Sequence, residues 1–208
     1  MKRLRLTLIF LFAALFLHAV AAGQSKASAA TILSSLRSRM ASAPAVEAVF
    51  TINGGQGPVQ GSVILSGAKY SMTTPQMSVW YDGRTQWTFL RNTNEVSITE
   101  PSADELLSTN PFAILSDQTG HYTARRLSDN SGRYRVELVP RDKSSIIKRY
   151  VLFIDHTDSW PRALTVEFDD NRRIEVVIEN IGASAVRDAA TFAFDAHKHP
   201  AAEIIDLR

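Results

Sequence analysis

His197-Lys198-His199 is the pair of side chains in this chain that most resembles a metal site. On a strand, residues i and i+2 would put both imidazoles on one face, which suits Zn²⁺. Only Asp195 and Glu203 lie nearby as further ligands, and we read the segment as a polar loop ahead of Pro200. Asp169-Asp170-Asn171 lacks the further spaced acids of a calcium loop and reads as a hairpin turn. The sequence has no Gly-x-Ser-x-Gly elbow, no phosphate-cradling glycine loop and no metalloprotease His pair. It also has no cysteine, which excludes a thiol nucleophile, a disulfide staple and a lipid anchor on an N-terminal cysteine. The expectation is a non-enzyme with neither cofactor nor metal.

Bulky apolar side chains are far more prominent than catalytic ones. Phe50, Tyr70, Met72, Met77, Trp80, Tyr81, Trp87 and Phe89 fall within one stretch of short alternating segments. Aromatic and Met side chains accommodate irregular acyl ligands well, and they also build ordinary cores. Residue types alone leave both readings open. The second half carries Arg125, Arg126, Arg133, Arg135, Arg141, Lys143, Lys148 and Arg149. We read these as cations guarding strand edges, with an anion or membrane-surface patch as the alternative. Glu137 with Arg135, and Glu175 with Glu179, read as a solvated strand face.

The elements that must position these residues follow from period. Lys2, Arg3 and Arg5 precede an apolar run from Leu6 to Leu17, then Ala19-Val20-Ala21-Ala22. That is the pattern of a secretory signal cleaved near residue 22, shorter than a membrane span of roughly 18 or more apolar residues. The full chain carries a formal charge of +2; without residues 1–22, twenty basic residues face twenty-one acidic ones, or −1. A near-neutral mature chain gives no reason to expect nucleic-acid binding. Residues 23–208 are the length of one domain.

Ser28 to Ser42 has helical spacing in Ile32, Leu33, Leu36 and Met40, and Pro44 follows it. From Ala45 the period becomes two. Strands are expected over Ala45–Ile52, Val59–Leu65, Lys69–Thr73, Gln76–Tyr81, Thr85–Leu90 and Glu95–Thr99. Asp82-Gly83 is expected to form a two-residue turn with positive φ at both positions. Ser102 and Glu105 have capping-box spacing, which predicts a helix from Ala103 to about Ser108 and a second turn over Phe112–Leu115. Strands resume at His121–Leu127, Tyr134–Val139, Ile146–Ile154, Ala163–Phe168 and Ile174–Ile181. A short strand at Thr191–Phe194 and a tail at Glu203–Leu207 complete the pattern. The fold class is mainly β: an incomplete antiparallel barrel of about eleven strands, its concave apolar face covered by short helices.

A set of motifs now resembles a known family. Gly61, Tyr70-x-Met72, Tyr81-Asp82-Gly83-Arg84-Thr85-Gln86-Trp87-x-Phe89, Glu95-Val96, Asn110-Pro111-Phe112 and the closing Ile204-Ile205-Asp206-Leu207-Arg208 are similar to the periplasmic outer-membrane lipoprotein carriers of LolA type. The resemblance implies a half-barrel closed by a helical lid, with an apolar interior that shelters acyl chains of lipoproteins crossing the periplasm. It implies an inner-membrane ATP-driven exporter as donor and an outer-membrane acceptor that the sequence does not identify. Members carry an Arg-Pro after the strand beginning at the Gly61 position, and that Arg holds the lid. This chain has Leu65-Ser66-Gly67-Ala68-Lys69 there, and a lysine does not replace a planar bidentate donor.

The resulting expectation is a monomeric periplasmic carrier that binds acyl chains through Phe50, Tyr70, Met72, Met77, Tyr81, Trp87, Phe89, Leu106, Leu107, Phe112 and Leu115. The lid is expected over Ser102–Leu115. The alternative is a lipid- or lipoprotein-sensing module of related shape, for which the chain is too short to hold an added partner-binding domain. A secreted hydrolase would need an activated nucleophile.

Overall fold

The computed structural model describes residues 27–55, 57–102, 105–106, 110–116 and 120–208. The export segment, Leu107 and most of the helix expected from Ala103 to Ser108 lie outside these residues. Helix α1 spans Ala29–Ala41 and α2 spans Ala113–Ser116. Ser28 caps α1, its Oγ accepting from the Thr31 N–H at 3.1 Å. Ile32, Leu33 and Leu36 face inward, as their spacing predicts.

The strands are β1 (Ala45–Gly54), β2 (Gly57–Ser66), β3 (Lys69–Thr73), β4 (Met77–Tyr81), β5 (Gln86–Leu90), β6 (Glu95–Thr99), β7 (Tyr122–Arg126), β8 (Arg133–Pro140), β9 (Ile147–Asp155), β10 (Pro161–Phe168), β11 (Arg173–Ser184) and β12 (Glu203–Asp206). They form one twelve-stranded sheet in the order β12-β6-β5-β4-β3-β2-β1-β11-β10-β9-β8-β7. The expected incomplete barrel of about eleven antiparallel strands is met by one open sheet of twelve, one strand of which is parallel. The sheet is open, because β12 and β7 are opposite edges and do not pair. In addition, β12 runs parallel to β6. Two 3-10 turns, Ala189–Phe192 and Ala196–Lys198, carry the chain back so that its last strand enters in the direction of β6.

Local turn chemistry gives two corrections. The β4–β5 connection holds four residues, since Tyr81 pairs with Gln86. Only Gly83 in it has positive φ, 104°. The Asp82 side chain shapes the loop instead, Oδ1 accepting from the N–H of Arg84 at 2.9 Å and of Thr85 at 2.8 Å. Thr191–Phe194 is not a strand. Asp188 accepts from the Ala190 N–H at 2.9 Å and starts a 3-10 turn there.

Strand alternation divides the side chains between two faces. The inner face carries Val46, Ala48 and Phe50 of β1, paired with Leu65, Val63 and Gly61 of β2. Tyr70 and Met72, then Tyr81 and Val79, continue it. On the other side of β1 it runs through Val176 and Ile178, Leu164 and Val166, Leu152 and Tyr150, then Val136 and Leu138. These residues, with Ile32, Leu33 and Leu36 of α1 and Phe112, Ile114 and Leu115, form one contiguous core. A bulge between Val49 and Phe50 leaves Glu179 of β11 without an opposite residue. The Thr51 hydroxyl and Gln60 Nε2 hold its carboxylate at 2.5 and 3.0 Å, stabilising a bend at the centre of the sheet.

Helical cover is limited. Helix α1 packs on α2, β7 and β8. The inner positions of β5 and β6, by contrast, are Gln86, Thr88, Ser97 and Thr99. Of these, Thr88, Ser97 and Thr99 remain half-buried and polar.

Candidate ligand-binding site

Phe50 sits at the centre of the inner face with no exposed surface. Its ring lies over Gly61: a Cβ built there would stand 2.6 Å from Phe50 Cζ and 2.7 Å from the Thr73 carbonyl oxygen. Only glycine allows this close approach. The Phe112 ring completes the stack, 4.8 Å from Phe50 between centroids. Tyr70 and Tyr81 pack at 5.5 Å. Of the residues expected to hold acyl chains, Phe50, Tyr70, Met72, Met77, Tyr81, Leu106, Phe112 and Leu115 are thus brought together in one core. Met77 and Leu106 are its partly buried members.

Trp87 and Phe89 are not among them. Tyr81 faces inward and its partner is Gln86, so Trp87 and Phe89 alternate to the outer face. There the C-terminal segment covers Phe89. His199 stacks 4.5 Å from Phe89 and 5.3 Å from Phe194, and Phe194 lies 5.7 Å from Trp80. Val96 and Phe192 are fully buried in this second apolar layer. His199, half of the metal-like pair, is occupied in aromatic packing.

Open space lies elsewhere on the inner side. A cavity of about 190 Å³ runs between α1, α2, β7 and β8, lined by Leu33, Leu36, Ile114, Leu115, Tyr122 and Leu138 among others. A larger one of about 490 Å³ adjoins it, with Gly120 and Tyr122 common to both. Its apolar wall is Tyr122, Pro140, Ile146 and Ile147, and its polar rim includes Glu105, His121, Arg141 and Ser144. The Arg141 guanidinium holds the rim in shape, Nε donating to the Gly120 carbonyl at 3.0 Å. Among the described residues, Leu115 is the one sequence-predicted residue lining these two cavities. Tyr122, Leu138 and Ile147 were missed, although each lies on a strand with alternating apolar residues.

One polar group is enclosed by the core. Tyr70 Oη donates to Gln86 Oε1 at 2.6 Å. Burial pushes the phenol well above its ordinary range, the neighbouring Tyr81 adds to this, and a hydrogen bond with the Asn110 side chain opposes both. Asn110 itself is 1% exposed. Its Oδ1 accepts from the Phe112 N–H at 3.0 Å.

The outer face of β7–β10 carries an ion-pair ladder. Glu137 accepts from Arg125 at 2.8 Å and from Arg149 at 3.1 Å, and Arg149 grips Glu167 at 2.6 and 2.7 Å. Glu137 is 5% exposed, which corrects its reading as a solvated residue: the two arginines cover it. Burial raises its pKa, but the hydrogen bonds from Arg125 and Arg149 outweigh this, and the net shift is downward. Arg149 holds Glu167 below its ordinary value as well.

The described residues thus form an open sheet with an apolar inner face and two adjoining cavities beside α1, α2, β7 and β8. The sequence assigns the family: the model for outer membrane lipoprotein carrier protein LolA matches residues 20–168. The chain belongs to that family. No curated protein matches the sequence. An uncharacterised conserved protein from Thermus thermophilus shares the fold, with a TM-score of 0.56 at 10% identity over 84% of this chain and 96% of that one. A LolA superfamily protein from Nitrosomonas europaea superposes with a TM-score of 0.46 at 12% identity, over 81% and 99%. MucB in its complex with MucA from Pseudomonas aeruginosa superposes at 0.38 and 11%, over 79% and 61%.

Proposed function

We propose that this protein is a periplasmic carrier that shelters the acyl chains of lipoproteins and moves them from the inner to the outer membrane. The observation that carries the reading is the pair of adjoining cavities, in a chain of the lipoprotein carrier family. Their apolar end lies under α1 and their rim is polar, which suits an amphiphile whose chain is buried and whose head stays wet. Burying each CH₂ contributes about 0.8 kcal/mol, so even a partly inserted acyl chain would be held without covalent chemistry. Leu33, Leu36, Ile114, Leu115, Tyr122 and Leu138 are the proposed chain contacts. The core residues Phe50, Tyr70, Met72, Tyr81 and Phe112 belong to the same packed core as these contacts and line neither cavity.

Export through a signal cleaved near residue 22, a single unit over 23–208, a monomeric state, and receipt of cargo from an inner-membrane ATP-driven exporter belong to the same proposal. A fluorescent fatty acid titrated into the mature protein should saturate near one site. Ala124→Trp, at a position lining the smaller cavity, should weaken binding about tenfold or more while leaving the thermal midpoint nearly unchanged. Equal affinity in both proteins would place the chain elsewhere, and no binding in either would remove the carrier reading.

A further inference from the structure

The sheet has two edges, β12 and β7, and the cavities lie beside only one of them. Tyr122 of β7 lines both cavities and Ala124 lines the smaller. The backbone of β7 is half used. At one end the Arg141 N–H donates to the His121 carbonyl at 2.8 Å, and at the other the Leu127 N–H donates to the Arg135 carbonyl at 2.8 Å. Between them Thr123 pairs with Val139 and Arg125 with Glu137. The odd-numbered residues therefore exchange hydrogen bonds with β8, and the N–H and C=O groups of Ala124 and Arg126 point away from it. Ala124 is exposed, and among the described residues no backbone group pairs with it from that side. The unpaired edge and the cavity wall thus meet in the same residue.

A row of outward N–H and C=O groups is a template for a further strand. The chemistry of the proposed cargo says which strand. An acyl chain held in these cavities is covalently joined to a peptide, and the residues after the joint must leave past the cavity wall, beside β7. We propose that the extended segment following the acylated residue of the cargo adds to the sheet as a strand on β7. This rests on the acyl-binding reading above. Main-chain pairing ignores side-chain identity, so one carrier accepts cargo of many sequences while still preferring a lipopeptide to a free fatty acid. The strand offers only Tyr122–Arg126, which confines the contact to the first few residues of the cargo.

The test uses a short peptide palmitoylated on its first residue. In an added strand, alternate N–H groups point at the neighbour. N-methylation of the second and fourth residues, or of the third and fifth, removes donors of one parity at a time. One of the two methylated peptides should bind about tenfold more weakly than the parent, and the other within about twofold. Amide hydrogen exchange at Ala124 and Arg126 should slow far more with the parent peptide than with palmitate, and Thr123 and Arg125, already bonded to β8, give the internal reference. Equal losses from both methylation patterns, no loss from either, or the same exchange at Ala124 with peptide and with palmitate would overturn the assignment. Tight binding of palmitate in those cases would leave the carrier reading intact. Failure of both peptide and palmitate to bind would remove both.

Discussion

Gly61 is the position where a single methyl group has most to disturb. The Phe50 ring and the Thr73 carbonyl already occupy the space a Cβ would need, and Phe50 is enclosed on every side. Gly61→Ala should lower stability by about 1–3 kcal/mol, as overpacking does, read as a fall in thermal midpoint. A midpoint at the wild-type value would mean that the ring has room to move. Phe89 makes a complementary case. Its type placed it among acyl-binding candidates, but its parity places it under His199. Phe89→Ala should cost about 3–5 kcal/mol, with fatty-acid affinity per folded molecule unchanged. A selective loss of affinity would return Phe89 to the binding site.

At the scale of elements, period-two alternation made most strands legible, because a half-buried sheet demands it. The direction in which an aromatic points was legible too, but only through the hairpin. Any even-length loop after Tyr81 puts Trp87 and Phe89 on the opposite face, whether it holds two residues or four. Residue type alone discards that information. The pairing of β12 was not legible, since it depends on where two 3-10 turns deliver a distant segment. Nor were the cavities, which arise where α1 and α2 meet β7 and β8 and depend on contacts remote in sequence. The ladder Arg125–Glu137–Arg149–Glu167 is likewise visible only once the strands are aligned.

That ladder has a consequence for pH. Both carboxyls are held below their ordinary 4.5 in the folded protein. Their stabilisation is therefore complete above about pH 4.5 and is lost as pH falls through the lower folded values. Stability measured by denaturant should decline across that acid range, and the decline should be shallower in Glu137→Gln. An unchanged slope would mean that the ladder contributes nothing net. The C-terminal segment acts as a second cover. Truncation after Val186 should expose Trp80, Phe89 and Val96, lower stability and increase binding of an apolar dye, and wild-type dye binding in the truncated chain would contradict this.

At the scale of the whole molecule, the sheet divides its labour between faces and halves. The outer face is closed by an aromatic layer near β4–β6 and by ion pairs near β7–β10. The inner face is packed at its centre and opens toward the β7 edge, where α1 and α2 leave adjoining cavities. An open sheet would suit the proposed carrier role because one edge can admit a chain without the core unfolding. The measurement that tests this most directly is photo-crosslinking with a palmitoyl peptide carrying a diazirine along its chain, mapped by mass spectrometry. Adducts should concentrate on Leu33, Leu36, Leu115, Tyr122 and Leu138. Adducts confined to Trp80, Trp87 and the C-terminal segment would contradict the account.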